Sequence, residues 1–183
     1  HCVFGKAQSH PHYKTEKEEP GIPTISWDYC YMKGNGTEQE EDEASDELPI
    51  LVWKDSNSKA VGAFVVPNKG ECEYATRRGS QDMNSILGYN KMNFKGDQEP
   101  ALRTIMRSIK MLSGDQCTLD DTPVGDSQSN GDVESAIKQV QGQFRTMRSD
   151  LETCYNRELA ANATCMPWFC LLYTSPSPRD KHR

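Results

Sequence analysis

The chain has 183 residues, of which 35% are hydrophobic and 26% charged, with a formal net charge of −6. That length suits one globular domain, and no apolar run approaches the roughly 18 residues that a membrane span needs. The charge is uneven: residues 38–47 hold seven acids and no base, the last five hold three bases, and without both stretches 18 bases face 19 acids. A nucleic-acid partner would therefore have to be met by a local basic patch and not by a global field.

Taken in chain order, residues 5–23 are polar and proline-containing and read as an extended linker. Residues 24–32 are β-branched and aromatic and predict a strand, and 33–47 read as a solvated, acidic loop. Residues 49–66 predict a hairpin about the turn signal Asp55–Ser58. A helix is expected over 71–87, with Gly79 counting against it and Gly88 ending it. A short strand over 91–96 ends at Asp97. Pro100 then opens a helix whose apolar face is Leu102, Ile105, Met106, Ile109 and Leu112, with Gly114 as its stop. A strand about 117–119 and a loop over 120–131 lead to the last helix. Its residues Val133, Ile137, Val140, Phe144, Met147 and Leu151 predict one continuous buried stripe. Beside it runs a second row, Glu134, Lys138, Gln141, Arg145 and Arg148, basic after its leading carboxylate. This order of elements is α/β.

Seven cysteines at irregular spacing, with no CxxC pair, read as reduced thiols of an intracellular protein. The chain begins at His1, which points to a fragment. Its tail, Cys170 to Asp180, is identical over eleven residues to the in-frame translation of the mosaic-end adapter used in transposase-based sequencing libraries. Residues 170–183 are accordingly set aside from fold reasoning.

Three acids stand where an α/β sheet gathers ligand groups: Asp28 within the first strand, Asp97 at the end of the fourth, and Glu134 in the first turn of the last helix. Converging carboxylates repel unless a cation lies between them, and hard oxygen donors select Mg²⁺ or Mn²⁺. Asp55, in the hairpin turn, is the other candidate for the first acid.

These residues and their flanks resemble the DDE motif of retroelement integrases. Lys95-Gly96-Asp97-Gln98-Glu99-Pro100-Ala101-Leu102 is similar to the segment around the second acid in copia-type elements. Ser127-Gln128-Ser129-Asn130-Gly131-Asp132-Val133-Glu134 is similar to the segment carrying the third, and Trp27-Asp28-Tyr29 to the first-acid strand. The resemblance spans roughly residues 2–169. It implies an RNase H-like fold, a five-stranded mixed sheet flanked by helices, as a catalytic core over 24–169 with an acidic insertion at 38–47. It also implies DNA 3′-end processing and strand transfer with two Mg²⁺ or Mn²⁺ ions. Asp28 would bridge both, and Asp97 and Glu134 would hold one each, without a covalent enzyme intermediate.

Asn130, Lys138, Gln141 and Arg145 would face DNA. Gln141 stands where many members of the family have a second Lys. Cys2-Val3-Phe4-Gly5-Lys6 resembles the end of the family's His-His-Cys-Cys zinc domain, so residues 1–23 are expected to be its remnant and linker. Cys2 would be the last ligand, and Zn²⁺ would belong to the missing N-terminal domain. A chance site joining Cys2 to His1, His10 and His12 is the alternative. The implied partners are double-stranded DNA and further copies of the full-length protein, with no membrane. The implied location is the nucleus or a cytoplasmic retroelement particle. The competing readings are an inactive integrase-like fragment, another RNase H-like nuclease or transposase, and an interaction module acting through 38–47.

Overall fold

The computed structural model describes residues 21–31, 48–114, 117–121 and 131–159. Cys2, Asn130, the acidic segment 38–47 and the tail 170–183 lie outside the described residues.

Five strands form one mixed sheet in the order β3-β2-β1-β4-β5. The first three are β1 (Thr24–Cys30), β2 (Ile50–Asp55) and β3 (Val61–Val65), joined as an antiparallel meander. β4 (Met92–Gly96) and β5 (Cys117–Asp121) add in parallel on the other side of β1. Parallel pairing needs crossovers. They are supplied by α1 (Glu73–Gln81) between β3 and β4, and by α2 (Pro100–Ser113) between β4 and β5. A final helix, α3 (Gly131–Tyr155), follows β5 in sequence. The expected strands and helices are all present, in the expected order.

β1 is central, and its alternation divides the core. Ile25, Trp27 and Tyr29 face α1 and α2, with Leu51, Trp53, Phe64, Phe94, Leu102, Ile105 and Ile109 around them. Trp27 is fully buried, edge-on to Phe94 at 5.5 Å and tilted against Trp53 at 6.5 Å. On the opposite face Cys30, Ile50, Val52 and Ala63 pack against Ala136 and Val140 of α3.

The stretch expected as one helix over 71–87 is divided. α1 gives way to a π-helical turn over Asp82–Leu87, and Gly88, left-handed at φ 60°, ends it by donating its N–H to the Met83 carbonyl at 2.9 Å. The cause is tertiary. Asp82 is buried, and its carboxylate accepts the Trp53 indole N–H at 3.0 Å and pairs with Arg78 at 3.0 Å. The wider turn lets the successive residues Asp82 and Met83 both point inward. Gly79 is a packing site and not a weakness: a Cβ there would stand 2.5 Å from Ile109 Cδ1, so α1 and α2 meet at this point.

Two apolar stripes are shorter than expected. In α2 the buried set is Leu102, Ile105, Met106, Ile109 and Ser113, whereas Leu112 is 57% exposed. Ser113 takes the last inward position because the small polar Ser80 lies opposite, their hydroxyls 3.3 Å apart. In α3, Val133, Ala136, Val140, Gly142 and Phe144 are buried, but Ile137, Met147 and Leu151 are only half-buried. A helix of 25 residues extends about 37 Å. Strands of five to seven residues extend only about 17–23 Å, so the second half of α3 overhangs the sheet.

Trp53 spans the meander and the crossover. Its ring lies across the backbone of Gly62 on β3, where an added Cβ would stand 2.2 Å from Cε2 of the indole. Gly62→Ala therefore has no room without displacing a buried ring. It is expected to cost about 1–3 kcal/mol of stability, read as a lower urea midpoint at unchanged m-value. Gly21→Ala, with nothing within 4 Å of its Cβ position, should change stability by no more than about 0.5 kcal/mol.

Candidate active site

The parallel register Trp27↔Gly96 makes Asp28, within β1, and Asp97, just past the end of β4, the next neighbours across the two strands. Asp28 points to the face that α3 covers, as its neighbours Ser26 and Cys30 do. Asp97 follows the last residue of β4 and is exposed. Each carboxylate accepts a hydrogen bond from the next backbone N–H: Asp28 from Tyr29 at 2.7 Å and Asp97 from Gln98 at 2.6 Å.

Asp28 is pushed up to about 6 from the ordinary carboxylate value. Burial is the main cause, and the negative charges of Asp97 and Glu99 add to it. The Tyr29 N–H and the Lys69 ammonium act in the opposite direction.

Asp55 is excluded as the first acid. It is fully buried in the hairpin turn, where its carboxylate accepts bonds from the Asn57 and Ser58 N–H groups, the Ser58 hydroxyl and the Tyr89 hydroxyl at 2.7 Å. Burial raises its pKa, but these hydrogen bonds outweigh burial and hold the group below the usual range. Its four partners leave it a turn-building residue.

The third acid is placed differently from the first two. Glu134 is exposed in the first turn of α3, which is anchored by Asp132 pairing with Lys54 of β2 at 3.6 Å. Its row is turned toward β1, since Gln141 donates its side-chain N–H to the Tyr31 carbonyl at 3.3 Å. Yet among the described residues no three His, Cys, Asp or Glu side chains lie close enough together to hold one ion. The structure thus brings Asp28 and Asp97 together and does not add Glu134 to them; residues 122–130, which lead into α3, lie outside the described residues.

The residues of the second row of α3 differ in their surroundings. Lys138 and Arg145 are exposed. Gln141 is half-buried and engaged with β1. Arg148 is taken up at the end of the helix, donating to Glu152 at 2.8 Å and to the Leu159 carbonyl at 2.7 Å.

Sequence reasoning missed Lys69 and Glu99. They form an ion pair at 2.9 Å beside the two aspartates, and both act on the charge of Asp28. Pro67-Asn68-Lys69-Gly70 carries only a turn signal, so nothing local distinguishes that lysine.

The Asp28 shift has a pH consequence. Between about pH 4 and 6 the native state keeps a proton that the unfolded chain has lost. The stability associated with this group is therefore full below about pH 4 and falls as pH rises through about 6. Asp28→Asn should remove that slope. In chelator at about pH 7.5 it should be more stable than the parent by roughly 1–3 kcal/mol, the range allowing for solvent screening at a half-buried site. At about pH 3.5 the two should coincide, as urea titrations at both pH values will test.

No protein-family model matches the sequence, and no curated protein matches it. Solved structures do. The catalytic core domain of BIV integrase superposes with a TM-score of 0.51 at 17% identity, covering 82% of this chain and 80% of that one. A chain of the simian T-cell lymphotropic virus intasome in complex with PP2A regulatory subunit B56 gamma matches at a TM-score of 0.49 and 16% identity, covering 97% of this chain and 64% of that one. With its five-stranded mixed sheet and flanking helices, the chain has the RNase H-like fold of an integrase catalytic core.

Proposed function

We propose that this chain is the catalytic core of an integrase from a copia-type retrotransposon polyprotein, a metal-dependent enzyme that trims DNA 3′ ends and joins them to target DNA. The observation that carries the reading is the adjacency of Asp28 and Asp97, each one residue past the last β1–β4 pair, on the face that α3 covers. The donor set fits Mg²⁺ or Mn²⁺, because carboxylate oxygens are hard ligands and the mutual repulsion at Asp28 is what a cation would relieve. Asp28 would bridge two ions, Asp97 would hold one, and Glu134 would complete the second. Such ions, when bound, supply Lewis-acid activation and charge neutralisation in an in-line phosphoryl displacement.

The chain's own residues bind and orient. Lys138 and Arg145, exposed on α3, would contact phosphates. Gln141, through its bond to Tyr31, would hold the Glu134 row toward β1. Asn130 would position DNA ahead of α3, and Cys2 would mark the end of a zinc-binding region. The partners on this reading are double-stranded DNA and further copies of the full-length protein, in the nucleus or in a cytoplasmic retroelement particle. A second reading, a domain that binds a cation without turning over DNA, is favoured by the separation of Glu134 from the aspartate pair.

Saturable Mn²⁺ binding to the full chain is expected by calorimetry, weakened at least about tenfold by Asp97→Asn. Asp97→Asn and Glu134→Gln should each abolish metal-dependent strand cleavage while circular dichroism and thermal unfolding report a folded protein. Normal cleavage by either variant refutes the triad. Binding without cleavage in the parent protein selects the second reading. Replacing Lys138 and Arg145 together by Ala should flatten the dependence of log K for DNA on log salt by about 2, near 0.9 for each phosphate that is no longer neutralised. Gln141→Ala should leave that slope unchanged.

A further inference from the structure

The connection between β3 and α1 crosses the strand end where the two aspartates lie. Lys69, in that connection, donates from Nζ to Glu99 Oε1 at 2.9 Å. The same ammonium stands 5.5 Å from the ring centroids of both Tyr29 and Tyr31. The next residue, Gly70, donates its N–H to the Tyr29 hydroxyl at 3.1 Å. One short segment is thereby attached to Tyr29 and Tyr31, which both follow Asp28, and to Glu99, which immediately precedes α2 and stands two positions after Asp97.

Each contact is individually modest. A partly exposed cation–π contact contributes about 0.5–1 kcal/mol, and an ion pair with both side chains about one-third exposed contributes little more on its own. Their joint effect is geometric. β1 and β4 are held to each other by backbone pairing only as far as Trp27↔Gly96, and both aspartates lie past that last pair. Past that pair β1 remains bonded to β2 through Asp28↔Val52, Tyr29↔Leu51 and Cys30↔Ile50, and Lys69 links this part of β1 to Glu99, beyond the end of β4. Burial alone would lower its pKa, but the hydrogen bond and charge of Glu99 outweigh burial, so the brace stays charged.

We propose that Lys69 is a positioning residue: by joining Glu99 to the Tyr29 and Tyr31 rings, it fixes the spacing of Asp28 and Asp97 and thereby their grip on a divalent cation. The inference rests on the metal-binding part of the function proposed above. It also carries a sign that separates it from a simple charge effect. A cation placed beside a metal site repels the metal, so removing it for charge alone would tighten metal binding. Removing a brace weakens binding.

The test uses the full chain, Mn²⁺ as the probe, and the variants Lys69→Met and Lys69→Arg. Lys69→Met should bind Mn²⁺ about 10–100-fold more weakly, the usual range for removing a group that orients metal ligands. Lys69→Arg keeps the charge, the hydrogen bond and the ring contact and should restore most of the affinity. Amide hydrogen exchange, read without metal, should be about tenfold faster at Gly70 and Gln98 in Lys69→Met and near the parent rate in Lys69→Arg. Equal or tighter Mn²⁺ binding by a folded Lys69→Met overturns the positioning role, and so does unchanged exchange at both amides. If the parent chain binds no Mn²⁺ while exchange responds as expected, the metal reading fails and the brace stands.

Discussion

The parallel pairing of β1 with β4 is the constraint from which the rest of the architecture follows. It sets two carboxylates next to each other at one sheet end, an arrangement that repulsion and burial both oppose, as the raised Asp28 shows. What holds the strands in that register lies on the opposite side of β1. Trp27 alternates with Asp28 and is wedged against Phe94 of β4 and Trp53 of β2, fully out of water. Burying an aromatic side chain of that size contributes a few kcal/mol, comparable to the electrostatic cost one residue away. One face of the strand thus stabilises a geometry that the other face opposes.

The helices divide the same way. α1 and α2 cover the apolar face and meet closely at Gly79 and Ile109. The crossover is secured by Trp53, whose indole N–H is held by Asp82 where the helix widens. α3 covers the face that carries the aspartates, but only its first half is seated there. Gln141 bonds to the Tyr31 carbonyl just past β1, burial continues to Phe144, and the first turn is tied to β2 through Asp132 and Lys54. Those two attachments aim the helix so that its row of Glu134 and Lys138 is turned toward β1.

Much of this was legible in the residues. The strand order along the chain, the bounds of α2 between Pro100 and Gly114, and the placement of Asp28 within the first strand and Asp97 at the end of the fourth all follow from local patterns. What was not legible depends on partners distant in sequence. Asp82 gives no local sign that it must meet Trp53, so the π-helical turn was invisible. The spacing of Met147 and Leu151 continues the helical period, yet burial stops where the sheet stops, and periodicity cannot report the length of an opposing surface. Arg148 fits the basic row by spacing but bonds to the carbonyl of Leu159. Lys69 sits in an ordinary turn and acquires its place only when β1 and the start of α2 are brought to it.

The central position of β1 also bears on how the chain acquires its structure. β1, β2 and β3 are consecutive and antiparallel, so their pairing requires nothing of the chain beyond residue 65. The other side of β1 has no partner until Met92–Gly96 is available, after the whole of α1 has been synthesised. A meander formed before then would present an open backbone edge along β1, beside an apolar face that carries Ile25, Trp27 and Tyr29 and still lacks α2. Such an intermediate has unpaired backbone groups and large exposed rings together, the combination that favours self-association and slow, non-local ordering. The strand that carries the first aspartate is therefore also the one that most needs the later half of the chain to arrive.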